Sequence, residues 1–118
     1  MISVCIATYN GEKYIKEQLL SILPQLGKKD EVIISDDHST DNTLDIVKGL
    51  NDNRIKIVIN NREKGYTSNF ENALSYAIGD YIFLSDQDDI WMTDKIEKCI
   101  EYMKQTETVL VVTDKQII

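Results

Sequence analysis

Directly behind an unbroken apolar run, "YIFLS" at residues 81–85, stand Asp86, Gln87, Asp88 and Asp89. A second acidic stretch, "SDDHSTDNT" at 35–43, also follows an apolar run and holds Asp36, Asp37 and Asp41. The chain already carries a net charge of −7, so crowding carboxylates gains nothing in stability. Like charges gathered in one place push carboxyl pKa values up unless a cation intervenes. A hard divalent ion with oxygen ligands supplies that relief. Mg²⁺ and Mn²⁺ typically take one or two carboxylates and share their other positions with water and substrate phosphates. The chemistry these residue types could do is to hold a metal and, through it, a diphosphate.

Each stretch also has a plainer explanation. An Asp-x-Asp alone is weak, because acidic strand-to-helix loops are common and Asp forms turns and caps well. Asp41 and Asn42 fall in a first helical turn, where the helix dipole favours them; it accounts less well for Asp36 and Asp37. Asn10 and Gly11 read as turn and cap, Tyr9 as a cover for a sheet end, and Arg62 and Lys64 as solvated loop charges. His38, set between acids, reads as a polar loop residue rather than a ligand or base. The fold decides between these readings by gathering the stretches or scattering them.

The elements that must position them follow from hydrophobic period, which switches repeatedly between strand and helix values. Residues 2–7, "ISVCIA", form a strand apolar on both faces. Ile15, Leu19, Ile22, Leu23 and Leu26 mark one face of a helix, with Asn10 as its expected N-cap, Gly27 closing it and Pro24 disturbing its last turn. A second strand, "EVIIS" at 31–35, leads to a helix capped by Thr40 with Leu44, Val47 and Leu50 on one side. "RIKIVIN" alternates by halves and belongs nearer a sheet edge. Phe70, Ala73, Leu74, Ala77 and Ile78 form a further helical stripe with Gly79 at C′, before the strand "YIFLS". A helix over 93–104 carries Ile96, Cys99, Ile100 and Met103, and "VLVVT" makes a fifth strand. Such alternation predicts an α/β fold, a doubly wound and mainly parallel sheet with helices on both faces. Ligands are then expected beyond the carboxyl ends of the strands, where all the acidic stretches fall.

With 118 residues, 42% of them hydrophobic and 28% charged, the chain fits one domain, 1–118. No apolar run reaches the length of a membrane span. The N-terminus lacks a basic leader and reads as a strand, so no secretory signal and a cytoplasmic location are expected. Cys5 and Cys99 sit on apolar faces as small buried hydrophobes, in keeping with a reducing compartment. No Cys/His cluster has zinc spacing, and the acidic balance argues against a nucleic-acid partner.

Four segments, "SVCIATYNGEKYIKEQLLSIL", "EVIISDDHSTDNT", "KGYTSNFENAL" and "GDYIFLSDQDDIW", stand in this order at fitting separations. Together they resemble the nucleotide-sugar-binding half of family 2 glycosyltransferases, which have the GT-A fold of nucleotide-diphospho-sugar transferases. The "SDQDDIW" form is most similar to the bacterial branch labelled rhamnosyltransferase-like, and the resemblance runs from Ile2 to about Asp114. It implies that Ala7, Thr8 and Tyr9 line a base pocket, with Tyr9 stacking on a pyrimidine. Asp37 would accept the N3–H of uracil or thymine, a task for a carboxylate that rejects cytosine, whose N3 is an acceptor. Asp86 would contact the ribose or sugar side and Asp88 the metal bridging the two phosphates, with Asp86 also near the metal. Asp89 is an additional acid of lesser rank. Arg62 and Lys64 would help neutralise the diphosphate, and Trp91 would pack beneath the loop. The donor implied is a UDP- or dTDP-sugar, the cofactor Mn²⁺ or Mg²⁺, and the acceptor a glycan or lipid-linked glycan of the surface-glycan type.

One position departs from the family pattern: His38 stands where "DDGST" is usual, at a tight loop position open to positive φ. The sequence stops at "VTDKQII", where a second, acceptor-binding half is expected. These residues are thus expected to form a donor-binding piece, inactive alone, of an enzyme working at the cytoplasmic face of a membrane, and the resemblance implies transfer with inversion. The catalytic base would lie beyond Ile118. Two other functions fit an acidic rim: a non-catalytic nucleotide-binding or assembly domain, and a Mg²⁺-dependent phosphoacceptor receiver using Asp36 or Asp37, with Lys115 as a poor candidate for its lysine.

Overall fold

The structure, a computed structural model, describes residues 1–86 and 90–106. The fifth strand expected at 109–113 lies outside them, as do Asp88 and Asp89. Strands β1 (Ile2–Thr8), β2 (Glu31–Asp36), β3 (Ile55–Ile59) and β4 (Tyr81–Ser85) form one parallel sheet in the order β3-β2-β1-β4. The connecting helices are α1 (Ile15–Ile22), α2 (Thr43–Gly49), α3 (Tyr66–Tyr76) and α4 (Lys95–Thr106).

Strand order explains the layers. From β1 through β3 the chain steps one way, so right-handed crossovers put α1 and α2 on the same face. Between β3 and β4 it doubles back across β2 and β1, which throws α3 onto the other face. Alternate side chains of β1 and β2 serve the two layers. Val4, Ile6, Val32 and Ile34 meet Ile15, Leu19 and Ile22 of α1, Val47 of α2, and Ile96, Cys99 and Met103 of α4. Cys5 and Ile33 meet Ala73 of α3. Burial, reinforced by the nearby Glu31 charge, pushes the Cys5 thiol up to about 12, so it packs as a small hydrophobe.

Register levels the carboxyl ends. Thr8 pairs with Asp36, Asp36 with Ile59, and Ile6 with Ser85, so all the described strands finish along one rim. Three local expectations need correction. Asn10 caps no helix: it sits at φ 51°, and its Oδ1 accepts the Thr40 N–H at 2.8 Å, while α1 begins after Tyr14 without a side-chain cap. Thr40 is likewise spent on this loop-to-loop bond, and Asn42 stands at the N-cap of α2. Gly79 is not the C′ residue of α3, which ends at Tyr76 and leaves Ile78 exposed. Its need for glycine is a close approach: a Cβ there would lie 2.6 Å from Ser3 Oγ and 2.7 Å from the Ser3 backbone nitrogen. The effect of Pro24 is as expected, turning the end of α1 into a 3₁₀ turn over Leu23–Gln25.

Candidate functional site

At the carboxyl rim Asp36, the last residue of β2, and Asp37, directly after it, turn to different tasks. Asp36 is buried; its Oδ1 accepts from Thr8 Oγ1 at 2.7 Å and Ser39 Oγ at 2.6 Å, and its Oδ2 from the Ser39 N–H at 2.8 Å. Those bonds tie β1 to the β2–α2 loop and leave a poor phosphoryl acceptor. Asp37 faces a cleft of about 380 Å³ lined by Ala7, Thr8, Tyr9, Lys64, Gly65, Tyr66 and Asn69. This is within the range that holds small ligands. Its Oδ1 accepts from Asn60 Nδ2 at 3.1 Å and its Oδ2 from the Gly65 N–H at 3.0 Å.

The walls of this cleft are built from beneath by a buried amide network. Asn69 of α3 donates to the Thr8 carbonyl at 3.3 Å and accepts from Ser35 Oγ at 2.6 Å. Asn72, one turn on, donates to Ser35 Oγ at 3.0 Å and the Ile59 carbonyl at 3.2 Å. α3 is therefore pinned to the ends of β1, β2 and β3 together. Above, the Lys64 ammonium lies 4.5 Å from the centre of the Tyr9 ring, a cation–π contact at the cleft mouth. Arg62, exposed two residues earlier, is not among the lining residues.

Next to this cleft, β4 delivers Asp86 to the rim one residue past Ser85. The fully buried Gln18 of α1 donates to Ser85 Oγ at 2.8 Å and to the Asp86 carbonyl, fixing where the acidic segment leaves the sheet. Trp91 packs into the core against Phe83, ring centres 5.8 Å apart, and its backbone N–H donates to Ser21 Oγ at 3.0 Å. The topology thus brings Ala7, Thr8, Tyr9, Asp37 and Lys64 to one cleft, and Asp86 to the same rim. Among the described residues no group of three or more acids, histidines or cysteines is placed to hold a metal ion.

Asp41, in the turn before α2, has a lowered carboxyl pKa. Slight desolvation pushes it up, but donors from Thr43 and Glu12 outweigh this and hold it below its ordinary value. His38 does occupy positive φ, 61°, and is held there by a 3.1 Å bond from Nε2 to the Asn60 carbonyl. Sequence reasoning missed Gln18, Asn60, Asn69 and Asn72, whose side chains reach the site from the middle of helices or the end of a strand. A larger cleft, about 680 Å³, lies at the opposite end of the sheet beside Leu26, Asn51 and Arg54, away from the rim.

The family model for Glycosyl transferase family 2 matches residues 3–117. The chain is 42% identical to the UDP-Glc:alpha-D-GlcNAc-diphosphoundecaprenol beta-1,3-glucosyltransferase WfaP of Escherichia coli, over 92% of this chain and 43% of that protein. It is also 42% identical to the dTDP-rhamnosyl transferase RfbG of Shigella flexneri, over 81% of this chain and 36% of that protein. The chain spans less than half the length of these relatives. Among solved structures it superposes on S. aureus TarS in complex with UDP-GlcNAc with a TM-score of 0.80, at 29% identity, covering 92% of this chain and 32% of that one. With the mannosyltransferase PcManGT from Pyrobaculum calidifontis, in complex with GDP-Man and Mn²⁺, the TM-score is 0.77 at 27% identity, covering 86% and 32%. The parallel sheet, its switch of faces at α3 and the match along almost the whole chain agree: this chain belongs to glycosyl transferase family 2 and has the GT-A fold.

Proposed function

We propose that this chain is the donor-binding part of a glycosyltransferase and takes a UDP- or dTDP-sugar at the carboxyl rim. The observation that carries this is the cleft in which Asp37, Tyr9 and Lys64 meet. A pyrimidine imide stacks on Tyr9 and gives its N3–H to Asp37, whose oxygens retain lone pairs beside the Asn60 and Gly65 donors. Uracil and thymine share that imide, and the names of WfaP and RfbG include a UDP- and a dTDP-sugar respectively. Lys64 and Arg62 offset phosphate charge at the mouth. Asp86 contacts the ribose or sugar side, and Asp88 with Asp86 holds a divalent ion.

Two carboxylates plus diphosphate oxygens are a donor set that suits Mg²⁺ or Mn²⁺. When bound, the ion offsets charge on the leaving diphosphate. The chain's own residues bind the base, orient the diphosphate and set the sugar at the rim. The acceptor surface and the base that deprotonates the acceptor belong to other parts of the whole protein, which transfers the sugar with inversion. Resemblance to WfaP, named for a diphosphoundecaprenol-linked substrate, supports a lipid-linked glycan acceptor; the transfer is proposed to take place at the cytoplasmic face of a membrane. No helix of the described residues is long and apolar enough to cross that membrane.

Calorimetric titration with UDP and dTDP, with Mn²⁺ and with a chelator, tests this reading. Binding strengthened at least tenfold by Mn²⁺ is the expected result. Nucleotide affinity indifferent to the ion, or no binding at all by folded protein, would refute it.

A further inference from the structure

We infer that Asn60 is a specificity-determining positioning residue, holding Asp37 so that it reads an imide N–H and rejects cytosine; this rests on the base-reading role proposed for Asp37. Asn60 follows β3 directly and is 1% exposed. Its N–H continues the sheet by bonding the Asp36 carbonyl at 2.8 Å. Its side-chain amide has one allowed orientation. Nδ2 donates to Asp37 Oδ1 at 3.1 Å and the Glu63 carbonyl at 3.2 Å, while Oδ1 accepts the Arg62 N–H at 3.0 Å. Flipping the amide would set oxygen against two acceptors and nitrogen against a donor, replacing three bonds with three repulsions.

Asp37 therefore meets donors on both oxygens, Asn60 on one and the Gly65 N–H on the other. Each oxygen keeps acceptor capacity and needs no hydrogen of its own. A group held in this way accepts from uracil or thymine N3–H and opposes the lone pair of cytosine N3. Asn60 also joins three segments: the β2 end through Asp37, the β3–α3 loop through Glu63 and Arg62, and His38 through its own carbonyl. The bulky residue at positive φ thus braces the residue that orients the reader.

The test compares UDP and CDP affinities, measured in Mn²⁺, for the parent and for Asn60→Ala, Asn60→Asp and Asp37→Asn. The two ligands share a diphosphate, so their ratio isolates the base. A general loosening would weaken both equally and leave the ratio unchanged. We expect Asn60→Ala to lower the UDP preference by at least about fivefold, the loss of one charge-assisted hydrogen bond's orienting effect. In Asn60→Asp the new carboxyl replaces the donor only while protonated. It faces Asp37, with Lys64, Tyr9 and Tyr66 on the cleft walls, Glu63 and Arg62 in the adjoining loop, and His38 at the Asn60 carbonyl; Asp36 is spent on Thr8 and Ser39. Two carboxyls in contact share a proton and lose it in a coupled step as pH rises. The UDP preference of this variant, taken relative to the parent's at the same pH, should accordingly be higher at about pH 6 than at about pH 8. Where Asn60→Ala is not recovered folded, the isosteric Asn60→Asp carries the test through this pH dependence. Parent-like ratios at both pH values in the Asn60 variants, beside a collapsed ratio in Asp37→Asn, would overturn the inference alone. An unchanged ratio in Asp37→Asn would overturn the base-reading role with it.

Discussion

At the scale of single residues, the cleft works by division of labour between adjacent acids. Asp36 closes the structure and Asp37 faces the cleft, because one points at hydroxyls of Thr8 and Ser39 and the other at a groove floored by α3. Asp37→Ala should therefore weaken uridine itself by about ten- to a hundredfold, the worth of one hydrogen bond to a charged group plus the desolvation of what it leaves unpaired. The loss should be equal with Mn²⁺ and with chelator, since a nucleoside has no diphosphate to bring to the ion; titration of both conditions checks this, and a metal-dependent loss would place Asp37 at the wrong end of the ligand. The placement of Tyr9 and Asp37 at the rim was legible in the sequence because each stands directly after an apolar strand, where the fold exposes whatever follows; the roles proposed for them come from the family resemblance. The departure at His38 was visible against "DDGST", and its positive φ followed from the glycine it replaces. Asn60, Asn69 and Gln18 were not legible. A lone amide has no spacing signature, and its meaning depends on what lies opposite it in space.

At the scale of elements, the sheet is clamped at the end away from the Asp37 cleft. Arg54, just before β3, donates to the Leu23 and Leu26 carbonyls at 3.1 and 2.9 Å, tying the exit of α1 to the α2–β3 turn. Asp52 orients that guanidinium through a two-point contact, Nη2 to Oδ2 at 2.7 Å and Nε to Oδ1 at 2.9 Å. The Arg54 hydrogen bond, working against slight desolvation, holds the Asp52 carboxyl down to about 2 from its ordinary 3.8. A lowered folded-state pKa means that the contribution is whole above 3.8 and is lost as pH falls toward 2. Asp52→Asn should cost about 1 kcal/mol at neutral pH and flatten the decline of thermal stability in that acid window. Melting curves of parent and variant over that range decide it; parallel declines would mean the clamp is not the group titrating. Strand and helix cores were legible here because period 2 and period 3.6 arise within the segment itself. Caps were not: Asn10 and Thr40 have the right chemistry for helix starts but bond each other's loop, a choice set by register between strands.

At the scale of the whole molecule, site and scaffold meet in one measurable quantity, the stability that a ligand confers on the state it binds. A ligand held only by the folded rim, present at about a hundred times its Kd, adds about 2.7 kcal/mol. For a domain of this size that is on the order of 10 °C in Tm. UDP with Mn²⁺ should raise the melting temperature by roughly that amount, and UDP with chelator by much less. Asp88→Asn separates the metal from the scaffold. The family resemblance assigns Asp88 to the ion, so the variant should melt with the parent when unliganded and lose the Mn²⁺-dependent part of the shift, keeping the smaller part due to the base. Asp37→Ala should show the complementary pattern, losing the part that survives chelation. Asp37 and Asp86 stand at one rim, where β1, β2 and β4 end level, and the proposed base and metal subsites are assigned to different residues along it. Their contributions should then be close to additive, because residues without shared partners couple weakly. A single substitution that removed both parts of the shift while leaving the unliganded Tm unchanged would mean that base and diphosphate are not read by separate groups, and the division of the rim into an Asp37 side and an Asp88 side would fall.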